Sequence, residues 1–125
     1  MSLDAIGIVS ASPNESVRFY ALLGVSFANA NGHEHWEAKT PSGIRLMLDS
    51  VALIRTIDPG YEPTTRSGVV LCFKQASPAA VDALYEKIVG AGFSGKKAPW
   101  DAFWGQRYAC VLDPDGNQID LFADR

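Results

Sequence analysis

Two stretches of this chain obey one pattern. Asp113-Pro114-Asp115-Gly116 runs into Asn117-Gln118-Ile119-Asp120-Leu121-Phe122, and Thr40-Pro41-Ser42-Gly43 runs into Ile44-Arg45-Leu46-Met47-Leu48-Asp49. Each opens as a turn: Pro suits the second position, Gly supplies positive φ at the fourth, and Asp at the first can bond back to the turn backbone. Each then alternates as a strand does, with Ile119 and Leu121, or Leu46 and Leu48, on the aliphatic face. The offset is 113 minus 40, or 73 residues. A second pair agrees. Ser12-Pro13 and Ser77-Pro78 each place an N-cap Ser before a first-turn Pro, at an offset of 77 minus 12, or 65. The chain therefore reads as one strand–helix–strands unit used twice, the second copy longer by 73 minus 65, or eight, residues.

Module 1 spans about residues 4–50, a linker 51–67, and module 2 about residues 68–123. In the first, residues 5–9 read as a strand, 13–23 as a helix, 25–28 as a short strand, 29–32 as a turn, and 33–39 and 44–49 as strands. Glu15 completes a possible capping box with Ser12. The linker carries Pro59-Gly60 and Pro63-Thr64-Thr65 and reads as irregular chain, although residues 51–54 are apolar enough to pack down. In the second module, residues 68–74 form a strand, 78–90 a helix, and 107–112 and 118–122 strands, with 96–106 as an inserted segment.

With 125 residues, 47% of them hydrophobic and 20% charged, the chain has an ordinary globular composition and length enough for a real core. Its net charge of −3 and pI near 5.2 offer no basic stripe for nucleic acid. No apolar run approaches the ~20 residues of a membrane span. The opening Met1-Ser2-Leu3-Asp4 lacks a targeting pattern, so a cytoplasmic protein is expected. Cys72 and Cys110 both fall in apolar strand patterns and read as buried free thiols.

The pairs Phe19-Tyr20 and Leu23-Gly24, the helix end Ala91-Gly92, the run Trp104-Gly105-Gln106-Arg107-Tyr108, and the closing Asp113-Pro114-Asp115-Gly116-Asn117 with Ile119-Asp120-Leu121-Phe122 carry a family likeness. The chain resembles, over nearly its whole length, the glyoxalase / bleomycin-resistance / extradiol dioxygenase superfamily of vicinal oxygen chelate proteins. That resemblance implies an α+β fold of two βαβββ modules whose mixed sheets curl into a partly open, barrel-like structure with a cavity, usually in a homodimer. It also implies four inward positions that hold a divalent ion in the metal-using members. Carried over onto this sequence, they fall on Ala5, Met47, Val70 and Asp120. Three of these lack the imidazole or carboxylate donors that such ions prefer. No metal and no cofactor is therefore expected, and no catalytic residue is assigned.

The expectation is a metal-independent protein that sequesters a drug or metabolite. Its ligand wall would be Arg45, Met47, Val70, Cys72, Tyr108, Gln118 and Asp120, and its lid Trp100, Phe103 and Trp104 from the inserted segment, beside Lys96 and Lys97. Aromatic rings there suit a flat, apolar or cationic ligand. Asp120 has three readings: a pocket acid, a partner for Arg45, or a general base. The alternative function is a metal-dependent lyase, isomerase or dioxygenase that recruits His35 and Asp120 as ligands. His33 and His35 share a face if both lie on one strand.

Overall fold

Turn chemistry and aliphatic alternation divide the chain into the elements of the computed structural model, which describes residues 1–30, 32–64 and 68–125. They fall into two units, Met1–Thr64 and Thr65–Arg125. Residues 65–67 of the expected linker and Asn31 of the expected turn lie outside the described residues.

In the first unit β1 (Ala5–Ser10) and α1 (Pro13–Leu22) precede β2 (Ala28–Asn29), β3 (His35–Lys39) and β4 (Arg45–Ser50), with α2 (Val51–Ile57) after them. The strands form a sheet in the order β1-β4-β3-β2, with β1 parallel to β4 and the other pairs antiparallel. Ile8, Leu46, Leu48 and Ala38 are buried, as are Phe19 and Tyr20 of α1. The two rings meet edge-on at 5.1 Å, and Tyr20 meets Phe27 at 5.7 Å. At the start of α1 the Ser12 side chain makes no cap bond, and Glu15 pairs with Arg18 at 2.8 Å instead of closing a capping box. The Ser10 hydroxyl organises this end: it accepts the Ser12 N–H at 3.1 Å and pairs with the buried Ser16 hydroxyl at 2.8 Å.

The second unit repeats the plan with β5 (Leu71–Lys74), α3 (Pro78–Gly90), β6 (Ser94–Asp101), β7 (Gln106–Leu112) and β8 (Gln118–Asp124), in the sheet order β5-β8-β7-β6. Ser77 caps α3 through the Ala80 N–H at 3.2 Å. Val81, Ile88, Ala109, Val111, Ile119 and Leu121 are buried to completion. Arg107, on the helix side of β7, is held by Asp82 of α3 at 2.9 Å and by Asp101 at 3.2 Å.

The duplication is exact at the level of pairing. Ile6 stands opposite Leu46 and Gly7 opposite Met47; Leu71 stands opposite Ile119 and Cys72 opposite Asp120. Adding 65 to the first strand's numbers and 73 to the last strand's carries one ladder onto the other. The turns match as well. In residues 40–44 and again in 113–117, the first N–H donates to the fifth carbonyl and the Gly N–H returns to the first carbonyl. Gly43 and Gly116 have φ of 92° and 85°.

Two expectations need correction. Part of the linker is helix: the Ser50 hydroxyl accepts the Leu53 N–H at 3.0 Å and starts α2, and no Gly or Pro interrupts the chain before Pro59. The inserted segment is not a loop. Its extra residues lengthen β6 to 8 residues where β2 has 2, because they pair with β7 through Trp100–Tyr108 and Lys97–Cys110. Residues 102–106 then form a third turn of the same type, with Gly105 at φ 92°. Both sheets are mixed and neither closes into a barrel. Among the described residues no helix is long and apolar enough to cross a membrane.

Candidate functional site

In a strand, residues two apart share a face, and directly paired residues across a ladder share it too. On sheet β5-β8-β7-β6 this places Cys72, Asp120, Cys110 and Lys97 in one row, and Lys74, Phe122, Tyr108 and Trp100 in the next, on the face away from α3. Most of the expected ligand wall of the second unit, and part of its expected lid, therefore gather on a single surface.

A chain of hydrogen bonds crosses this surface. Lys96 Nζ donates to Gln118 Oε1 at 2.5 Å, Gln118 Nε2 to Asp120 Oδ1 at 2.9 Å, and Tyr108 Oη to Asp120 Oδ2 at 2.7 Å. Both carboxylate oxygens of Asp120, which is 8% exposed, are thus engaged by neutral donors. Burial and the Asp120 bond raise the Tyr108 hydroxyl well above its ordinary pKa, so it stays protonated as a donor. Burial pushes the Cys110 thiol up to about 11, helped by its hydrogen bond to Asp120. Desolvation and the Asp120 charge also raise Cys72. Both shifts favour the neutral thiol over the thiolate. Cys72 is exposed, not buried as expected, because it lies on the edge strand β5; Cys110, in the same row on the inner strand β7, is buried, and both thiols are free.

Beside the polar chain stands an aromatic ledge. Trp100 meets Tyr108 at 5.4 Å and Trp104 at 6.3 Å, Trp104 meets Tyr108 at 5.3 Å, and Tyr108 stacks on Phe122 at 6.0 Å. Phe103 sits at the turn tip against Trp104 at 5.0 Å and is 97% exposed. Phe103 and Trp104 therefore belong to the hairpin turn between β6 and β7, and Trp100 is a strand residue. Val70 lies just before β5, 39% exposed.

Arg45 and Met47 belong to the sheet of the first unit. Arg45 is held by Glu37 at 2.6 Å and by Asp4 at 2.8 Å, which replaces the expected pairing with Asp120. Met47 is half-buried between Gly7 and Glu37 in the ladders. On the same face His35 Nδ1 meets Asp49 Oδ1 at 2.5 Å, and its Nε2 meets Glu37 Oε2 at 2.8 Å. Sequence reasoning picked out His35 but missed Glu37 and Asp49. The signal was present: Glu37 is two residues from His35 on one strand, and Asp49 is two from Met47 on another. His33 lies outside β3 and is exposed, so the two histidines do not form a pair on one strand. A hollow of about 330 Å³ is lined by Gly32, His33, Glu34, Ala52, Leu53 and Thr56, and none of the expected ligand-wall or lid residues lines it.

The divalent ion implied by the resemblance does not fit these residues. Ala5 and Val70 have no donor atom and Met47 has only a soft thioether, which leaves Asp120 as the one oxygen donor among the four positions. Opposite Met47 and Asp120 the ladders place Gly7 and Cys72, and neither adds imidazole or carboxylate. His35 is no better placed, since each ring nitrogen already meets a carboxylate. Among the described residues no three His, Cys, Asp or Glu side chains form a group that could hold a metal ion.

Paired βαβββ units, each with its first strand parallel to its last, define a class of duplicated α+β proteins. The chain belongs to the Glyoxalase/Bleomycin resistance protein/Dioxygenase superfamily, whose model matches residues 2–121. Among solved structures it resembles a glyoxalase/bleomycin resistance protein/dioxygenase from Nocardioides, with 25% identity, a TM-score of 0.77, and coverage of 99% of this chain and 83% of that one. It also resembles a glyoxalase-related enzyme from Fulvimarina pelagi, with 21% identity, a TM-score of 0.83, and coverage of 99% and 88%. The hypothetical protein SA1046 from S. aureus shares 17% identity at a TM-score of 0.83, with coverage of 98% and 93%. No curated protein matches the chain.

Proposed function

We propose that this protein binds and sequesters a small organic molecule without a metal, in the cytoplasm and as a homodimer. The observation that carries this reading is the donor set. Of the four positions the superfamily's metal-using members employ, Ala5, Met47, Val70 and Asp120, only Asp120 offers an oxygen. One carboxylate is short of the roughly three protein ligands a catalytic ion needs, and Tyr108 and Gln118 donate to it here. The aromatic ledge of Trp100, Trp104, Tyr108 and Phe122 supports organic binding, because rings supply contact area at little cost in conformational entropy.

Elemental analysis of freshly purified protein tests the metal-free reading. The expected result is substoichiometric metal and an unfolding temperature unchanged by chelator or by added Mn, Fe, Ni or Zn. Stoichiometric metal whose removal lowers the unfolding temperature would replace this reading with a metal-dependent lyase or dioxygenase.

A further inference from the structure

The charge of the aromatic face follows from an irregularity in β6. Its register against β7 shifts between Gly95 and Lys97. A bulge re-aims side chains, and here two consecutive residues both reach one face. Lys96 bonds Gln118 at 2.5 Å, while the Lys97 ammonium lies 3.9 Å from the centre of the Trp100 ring. In a regular strand one of the two would point toward α3.

The face then holds three lysines, Lys74, Lys96 and Lys97, against two aspartates, Asp120 and Asp124. Lys74 and Asp124 pair at 2.9 Å. Asp120 is engaged by uncharged donors. Among the described residues neither Lys96 nor Lys97 has an ion-pair partner. A cationic ligand approaching this face meets a Trp100 ring already covered by Lys97 and a carboxylate, Asp120, that is buried behind its donors. An anionic ligand meets two ammonium groups with N–H bonds to spare.

We propose that the molecule bound at this face is a planar aromatic or heteroaromatic carboxylate. This rests on the binding role argued above and narrows it. The ring lies on the Trp100–Tyr108 ledge, and the carboxylate accepts from Lys96 and Lys97. Lys97 leaves the Trp100 face to the ligand because a charge-assisted hydrogen bond is stronger than an exposed cation–π contact.

Three probes with one ring and different charge decide the matter: 2-naphthoate, 2-naphthalenemethanol and 2-naphthylmethylammonium. Each is titrated into the full chain at low ionic strength and followed by tryptophan fluorescence and calorimetry. Naphthoate is expected to bind roughly tenfold more tightly than the alcohol, with the ammonium weakest. That preference should shrink as salt rises and vanish in the double variant Lys96→Gln, Lys97→Gln, whose altered positions are exposed. Trp100→Leu should weaken all three. If the alcohol or the ammonium binds as tightly as naphthoate, or the double variant keeps the preference, the anion class is overturned and the binding role stands. If none of the three binds to folded protein, the binding role falls and this proposal falls with it.

Discussion

Single side chains set the turns and the charge balance of this protein. Asp113 is buried, and its oxygens accept the Asp115 and Asn117 N–H groups at 2.9 and 2.8 Å and the Asn117 amide at 2.9 Å. Asp113→Ala strands these donors, so urea unfolding should show a loss of about 2 kcal/mol. His35 offers a pH signature. Its bonds to Glu37 and then Asp49 raise it above its ordinary 6.5, and its bond to Glu37 lowers that carboxyl below 4.5. A raised histidine contributes fully below 6.5 and loses its contribution as pH climbs through the folded value. A lowered carboxyl contributes above 4.5 and loses its contribution as pH falls through the folded value. The clasp, which Arg45 and Asp4 extend, is therefore strongest between those limits. His35→Gln should lower the unfolding temperature more at about pH 5.5 than at about pH 8.5, measured against wild type.

At the scale of elements, β6 passes close beneath α3 at Gly95. A Cβ at Gly95 would lie 2.2 Å from the Tyr85 hydroxyl of α3, so Tyr85 occupies the space a side chain would need. Gly95→Ala should force Tyr85 aside and cost about 1 kcal/mol, and the cost should largely disappear in a Tyr85→Ala background. The bulged edge also shows where sequence reading stops. The turns at 40–43 and 113–116 were legible because Pro and Gly punctuate both. The turn at 102–105 has the same hydrogen bonds but only Gly105 as a signal, so residues 96–106 read as an inserted segment with no strand assigned to it. Pairing with Tyr108 and Cys110 overrides the weak local preference of a segment that contains Lys96, Lys97 and Pro99. The α2 helix was missed for a similar reason: its cap, Ser50, also ends β4.

For the whole molecule, the homodimer belongs to the proposal and is checked directly. Sedimentation equilibrium is expected to report the mass of two chains of 13.5 kDa across the micromolar range. A single-chain mass there would remove the dimer and leave the metal-free binding face intact. The absence of suitable donors at Ala5, Met47 and Val70 was visible in the residues themselves, since no packing can give an aliphatic side chain a lone pair. The partner of Asp120 was not visible: Arg45 was one expectation, and Tyr108 with Gln118 is the finding.

The sequence by itself determined the duplicated modules, the offsets of 65 and 73 residues that relate them and the missing metal donors, because these depend on local periodicity, turn chemistry and atom types. Only the tertiary structure decided which donors satisfy Asp120, that Lys96 and Lys97 reach one face, and that the supposed lid is a strand and hairpin. Those outcomes depend on contacts between strands far apart in the chain, where cross-strand pairing is stronger than any preference written in neighbouring residues.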